Sequence, residues 1–253
     1  MPSAPSRPHS PCRPPAPIFS TSAASPHVRV RRRYLKTKNS GTRDAGASCA
    51  ARSPHHSRVH RHVRERCRAA IGEGASIVND ISALQYDQAM ASTVADGGAA
   101  LVLMHTRGRS ADMYARAIYD DVVREVTTEL RTAIDAAASA GIDRTRIIVD
   151  PGIGFAKRAA HSYVLLARLA ELSAQLARPV LAGPSRKSFM REALAERPAV
   201  ERDWGTAAAV TAAVLGGAHL VRVHAVPEMV QVARVAEAIR QHGALDKIGS
   251  TPL

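Results

Sequence analysis

The stretch that most constrains the fold is Arg146-Ile147-Ile148-Val149-Asp150-Pro151-Gly152-Ile153-Gly154-Phe155. A short apolar run reaches a carboxylate and breaks at once into a Pro/Gly turn. This order predicts a buried strand that delivers one acid to its carboxyl end, followed by a tight loop. In alternating α/β proteins ligands bind at that end of the strands. Asp-Pro-Gly is also ordinary turn chemistry, with Asp as a local cap. The functional reading gains weight because other strands of the chain end in the same way.

From about Val63 the chain reads as a regular alternation. Val63 to Glu73 is predicted helical and ended by Gly74, and Ala75 to Ile81 is a strand carrying Asn79 and Asp80. Tyr86 to Ala95 reads as a helix with Met90 and Val94 inward, then Ala100 to His105 as a strand. A long helix is expected from Met113 to Ala140, with Ile118, Val122, Val126, Leu130 and Ile134 as its apolar stripe. Ile147–Asp150 is the next strand. A helix over Tyr163 to Leu176 buries Leu165, Leu169, Leu172 and Leu176. Pro179 to Gly183 is a strand leading into Pro184-Ser185-Arg186-Lys187-Ser188. After a polar connection come a helix from Gly205 to Leu215 and a last strand from His219 to His224, with Pro227 opening the terminal helix. Five strands, each followed by a helix, imply a parallel sheet. Five units are fewer than the eight of a closed barrel. The expected division is a basic, disordered segment over 1–62, a folded domain over 63–245 and a tail over 246–253.

Charge is distributed unevenly. Residues 1–70 carry 15 Lys and Arg against two acids, Asp44 and Glu65, whereas the remainder holds 20 basic and 20 acidic residues. The net +13 therefore resides in the first segment, and the folded part offers no general polyanion-binding surface. That segment, rich in Pro, Ser, Arg and His, lacks a sustained period of 2 or 3.6 and is expected to stay unfolded. A nucleic-acid arm or targeting peptide would have a similar composition, as would a solvated tail or a mistaken start of translation. Cys12, Cys49 and Cys67 match no zinc spacing. His55, His56, His60 and His62 lack an evident third ordered ligand. No apolar run approaches the ~18 residues of a membrane span, so a cytoplasmic protein is expected.

The strand ends gather Asn79 and Asp80, Met104 and His105, Asp150 and Phe155, Ser185, Arg186 and Lys187, and Arg222 and His224. An amide and a carboxylate suit a flat heterocycle with adjacent ring N–H and amino donors. Lys187, Arg222 and His224 suit phosphate or an anionic leaving group, and Phe155 offers a stacking face. Each has a plainer alternative: Asn79 or Asp80 as a cap, His105 and His224 as core histidines, Arg222 as a structural ion-pair partner.

Asn79-Asp80, Leu103-Met104-His105-x-Arg107-Gly108, Asp150-Pro151-Gly152-Ile153-Gly154-Phe155, Gly183-Pro184-Ser185-Arg186-Lys187-Ser188 and Arg222-Val223-His224 together resemble the dihydropteroate synthase family, in order and from about Val63 to Gly243. The resemblance implies a (β/α)8 barrel that joins p-aminobenzoate to a dihydropterin diphosphate and releases pyrophosphate. It implies that Asn79 and Asp150 grip the pterin and that Lys187 contacts it and flanks the aminobenzoate. Phe155 and Ser185 would shape the aminobenzoate pocket, Arg222 and His224 would hold the diphosphate, and Met104 and Gly183 would line the substrate site. Asp150 and Lys187 are the catalytic candidates, with pyrophosphate leaving first and Asp150 stabilising the pterin cation. A homodimer through the late helices is also implied.

Several family features do not occur. The Asn-x-Thr-Pro-Asp-Ser-Phe loop that holds magnesium is missing, as is the Gly-x-Ser-Thr-Arg-Pro-Gly loop of the second strand. His60 and Arg61 stand where a pterin-binding Asp is expected, and Ala225 where an Asp usually follows the last His. Mg2+ is thus implied by the family without its ligand loop, and no metal ligand is assigned. The expectation is an incomplete (β/α)8 barrel without its first three strands, weak pterin binding and little turnover. A pterin-dependent methyltransferase relative is the nearest alternative, although it needs no diphosphate clamp. Another is a non-catalytic fragment that binds a partner or nucleic acid through its basic tail. A third is a mis-started gene product whose missing strands are encoded upstream.

Overall fold

The computed structural model describes residues 56–245, with side-chain placement for 63–243. The basic segment up to residue 55, with Cys12 and Cys49, lies outside the described residues, as does the tail from 246. The chain runs α1 (His56–Gly72), β1 (Ile77–Asp80), α2 (Met90–Asp96), β2 (Ala100–Met104), α3 (Val122–Ser139), β3 (Ile147–Asp150), α4 (Ala159–Ala167), α5 (Leu169–Leu176), β4 (Leu181–Ala182), α6 (Asp203–Leu215), β5 (Leu220–Val221) and α7 (Val226–Leu245).

All strand pairings are parallel. Asn79 pairs with Val102 and Val102 with Ile148, while Met104 pairs with Asp150. The Val149 N–H donates to the Pro179 carbonyl at 2.9 Å, and Val149 bridges Val180 in parallel, which links β3 to β4. Leu181 and Ala182 then pair with Leu220 and Val221. The spatial order is therefore β1-β2-β3-β4-β5, the order of the sequence. A doubly wound sheet reverses its strand order at a switch point, whereas a barrel adds each strand beside the last. The fold is an incomplete (β/α)8 barrel: an arc of five strands, each followed by a helix. Burial supports this, since β3 is buried throughout while β1 and β5 are only half-buried. Among the described residues no strand covers the outer edge of either.

Strand alternation separates core from site. Leu101, Leu103, Ile147 and Val149 point into the main core with Val123, Val126, Leu130, Leu165 and Leu169 from the helices. The intervening residues, Asn79, Val102, Met104, Ile148 and Asp150, share the opposite, inner face. Asp80 lies on the outer face, where its carboxylate accepts the N–H groups of Ser82 and Leu84 at 2.9 and 2.6 Å. Of the Asn79/Asp80 pair, Asp80 is the cap.

Several element boundaries differ from expectation. The helix expected from Met113 begins only at Val122, because the Asp121 side chain accepts from the N–H groups of Val123 and Arg124 and so starts it there. Ile118 consequently falls in the irregular segment before the helix and is 73% exposed, while Val122, Val126, Leu130 and Ile134 are buried as expected. The helix expected over Tyr163 to Leu176 is two helices that meet at Arg168, where the backbone leaves helical geometry (φ −107°, ψ 25°). The four leucines of its expected face, Leu165, Leu169, Leu172 and Leu176, are buried even so. The helix expected from Tyr86 begins at Met90, since the Asp80 cap holds the preceding segment in turns. The strands expected over Ala75 to Ile81, Pro179 to Gly183 and His219 to His224 shorten to four, two and two residues. The latter two stop where the backbone turns to present Gly183 and Arg222.

Candidate functional site

The inner rim is centred on Asp150. The carboxylate is 5% exposed, and its Oδ1 accepts the Gly152 N–H at 2.7 Å. Among the described residues Oδ2 takes no hydrogen bond, and it faces the backbone of Gly183. A Cβ added at Gly183 would lie 4.0 Å from that oxygen and 3.8 Å from the Arg222 Cβ, so the glycine backbone passes between the acid and the base of the Arg222 side chain. Burial pushes the Asp150 pKa up, while the charge of Lys187, the Gly152 N–H and the charges of Lys157 and Arg222 oppose it. Burial likewise lowers Lys187 to about 8, with the Asp150 charge acting against the fall. The two groups temper each other's desolvation.

The turn after Asp150 places the aromatic. Gly152 has φ +68°, and a Cβ there would overlap the His105 carbonyl oxygen. Only glycine lets the turn lie this close to β2. The Phe155 ring then lies beneath Lys187, whose Nζ is 4.3 Å from its centroid. The Lys187 ammonium also donates to the Ile153 carbonyl.

The Pro184–Ser188 loop is fastened from behind by α6. Arg186 takes a left-handed conformation (φ +58°), its N–H donates to Thr206 Oγ1 at 3.0 Å, and its guanidinium pairs with Asp203 at 2.8 Å through two bonds. Arg186 thus turns away from the rim, and Ser185 and Lys187 turn toward it. Ser185 Oγ accepts the His224 N–H at 3.2 Å and lies 2.9 Å from His224 Nδ1. The Ser185–His224 contacts tie this loop to the residues that follow β5.

The sequence-derived residues therefore meet. Asp150, Phe155, Gly183, Lys187 and Arg222 surround one space, with Lys187 and Arg222 as its cationic side and the Ser185–His224 pair at the ends of the same two strands. Met104 lies beside Asp150 across the β2–β3 ladder and is buried. Asn79 lies two strands away on the same face, and among the described residues its buried Oδ1 has no hydrogen-bond partner. A buried orphan acceptor is costly and marks a place for a ligand donor. His105 does not reach this space. It is a core histidine, bonded at Nε2 to Glu129 (3.0 Å) and at Nδ1 to Lys157 (2.8 Å).

Lys157, Glu129 and the Arg107 contacts were not legible as a unit in the sequence. The available signal was the Glu125/Glu129 pair, one turn apart on the flank of the α3 stripe, where both reach Arg107. Among the described residues no group of three or more His, Cys, Asp or Glu side chains is placed to hold a metal ion. The residues present do not fit the magnesium implied by the resemblance, and no step below runs through it. No described helix is long and apolar enough to cross a membrane.

An arc of parallel strands with an acid, an orphan amide and a cationic side at its carboxyl rim is a pterin-site architecture. The chain belongs to the pterin-binding enzyme family, which it matches over residues 63–224. It is 41% identical over 175 residues to the dihydropteroate synthase of Synechocystis, covering 69% of this chain and 60% of that protein. To the dihydropteroate synthase of Mycobacterium leprae it is 44% identical over 177 residues, covering 68% and 62%. The structure of the Xanthomonas albilineans dihydropteroate synthase in complex with 7,8-dihydropteroate superposes with a TM-score of 0.64 at 40% identity, covering 70% of this chain and 66% of that one. The chain thus spans less than two thirds of the length of the two relatives.

Proposed function

We propose that the domain over 63–245 binds a dihydropterin diphosphate and catalyses its condensation with p-aminobenzoate to dihydropteroate, with release of pyrophosphate. The observation that carries this is the meeting of Asp150, Lys187 and Arg222 around one space whose far wall holds the orphan Asn79 Oδ1. The Xanthomonas enzyme's complex with 7,8-dihydropteroate supports the choice of ligand.

In this reading Asp150 Oδ2 and Asn79 Oδ1 accept the donors of the pterin ring. Arg222 and His224 hold the diphosphate. The bond between the pterin methylene and the diphosphate oxygen breaks first, its electron pair leaving with pyrophosphate. Asp150 stabilises the cation that remains, and the arylamine nitrogen attacks the methylene carbon and loses a proton. Phe155 and Ser185 shape the aminobenzoate pocket, which Lys187 flanks. Preorganised charges of this kind act most strongly where charge develops.

Among the described residues the rim is an arc with both edges open, and the reading concerns the site on that arc. Titration calorimetry of the full chain with dihydropterin diphosphate tests it, together with a pyrophosphate-release assay. Asp150→Asn is expected to weaken binding about tenfold or more, as for a lost charged hydrogen bond. Equal binding by wild type and Asp150→Asn refutes the reading, as does an absence of binding by both.

The same reading includes a homodimer. Trp204 is 89% exposed beside the exposed Val235 and Ile239 on the α6–α7 face, an apolar patch suited to a second copy. Trp204→Ser is expected to lower the sedimentation mass, and a monomeric wild type refutes the dimer. A cytoplasmic location is also proposed, to be tested by fractionation.

A further inference from the structure

We propose that Lys157 is a positioning residue of this site: its buried amine ties the turn after Asp150 to β2 through His105 and, when protonated, sets a positive charge against the Asp150 carboxylate. The inference deepens the reading above, and rests on it only for the ligand.

Lys157 is 1% exposed, the largest of the fully buried side chains among the described residues. Lysine is almost never buried so completely without a paired acid. Among the described residues no carboxylate forms an ion pair with its Nζ, which instead donates to the Phe155 carbonyl at 3.0 Å and contacts His105 Nδ1 at 2.8 Å. An apolar side chain would fill the same space without the cost of desolvating an amine. The site therefore uses the amine.

The proton positions follow from the partners. Burial works against the Glu129 charge, but the hydrogen bonds from His105 and Arg107 hold its pKa at about 2, so it is ionised and can only accept. His105 Nε2, 3.0 Å from Glu129 Oε2, must then carry a proton. Burial lowers the His105 pKa to about 4, so the ring is neutral and Nδ1 is a bare acceptor. Lys157 donates to it. The donors converge on Glu129, from Lys157 through His105 on one side and from Arg107 on the other, and Arg107 lies 4.0 Å from the Tyr119 ring centroid.

Both ends of this chain hold the same turn. Lys157 binds the Phe155 carbonyl, and the Tyr119 hydroxyl donates to the Ala156 carbonyl at 3.0 Å. Ala156 is held at φ +49°, a conformation a side chain adopts only when its surroundings impose it. The fastening sets Phe155 under Lys187. The charge matters separately: the Gly152 N–H binds Asp150 Oδ1, and Lys157 Nζ lies 3.4 Å from where a Cβ on Gly152 would stand, so the amine and the carboxylate flank one residue. Lys187 and Arg222 also face Asp150, and Lys187, Glu129 and Arg107 also face Lys157. Loss of the Lys157 charge removes one of three cations that oppose the rise burial imposes on the Asp150 pKa, and a neutral acid cannot stabilise a pterin cation.

Carbon-13 NMR titration of the ligand-free full chain tests this by following the Asp150 carboxyl and the Lys157 Cε. In Lys157→Met the Asp150 midpoint is expected to move up, and an unmoved midpoint overturns the proposal. Glu129→Gln lies at the partly exposed rim of the network and keeps the test decisive if Lys157→Met does not fold. In this variant the Lys157 midpoint is expected to move down, because the Glu129 charge raises it. A midpoint left in place overturns the proposal. Affinity for dihydropterin diphosphate is then expected to fall about threefold to tenfold in Lys157→Met, as for one charge acting through a neighbour, with the greater loss at lower pH. Undiminished affinity across pH overturns the positioning role. If both midpoints move while the wild type binds no pterin, the functional reading fails and the control of Asp150 by Lys157 stands.

Discussion

Gly152→Ala tests the geometry of the site directly. At φ +68° an L residue pays about 1–2 kcal/mol for the left-handed conformation. The new Cβ would also fall on the His105 carbonyl oxygen, far inside the 3.0 Å below which real Cβ contacts essentially never lie. That oxygen is backbone and cannot rotate away. Either the turn lifts from β2 or β2 shifts, straining the His105 N–H bond to the Asp150 carbonyl (2.9 Å) and the Lys157–His105 contact. Overpacking of this kind adds about 1–3 kcal/mol, for a total of about 2–5 kcal/mol. Gly154→Ala is the control. Its φ is +78°, but the nearest obstacle is the Lys187 Cδ at 3.0 Å, part of a flexible side chain. It should cost only the conformational part, about 1–2 kcal/mol. Urea denaturation of the two variants, followed by circular dichroism, gives the difference. Equal destabilisation would refute the argument that backbone contact between this turn and β2 dictates glycine.

Leu130→Ala, at a wholly buried position of α3, is expected to cost about 2–5 kcal/mol in the same assay; a loss under about 1 kcal/mol would show that α3 packs elsewhere. Stability should fall on acidification. The folded His105 pKa of about 4 lies below its ordinary 6.5, so between these values the unfolded chain binds more protons and stability rises with pH. Lys157, lowered from 10.5 to about 7 mainly by burial, has the same sign over about pH 7 to 10.5. His105→Gln should flatten the slope between pH 4 and 6.5, and an unchanged slope would contradict the neutral, buried assignment.

The sequence by itself determined the alternation of elements and the identity of the rim. Apolar runs ending in Asp150, Met104 or Arg222, and glycines at 97, 141 and 152, are local signals that survive folding because strand period and turn chemistry are local physics. Helix starts were less legible, as Ile118 shows: apolar spacing continued past the point where the Asp121 cap cut the helix. The division of labour within each motif was decided only in three dimensions. Parallel register sent Asn79 inward and Asp80 outward, the α6 contacts turned Arg186 away from Lys187, and burial made His105 a relay rather than a ligand. Lys157 carried no signal of its own in the sequence. Its role exists because the Gly152 turn closes over it against His105, and such closure depends on contacts between residues 52 positions apart.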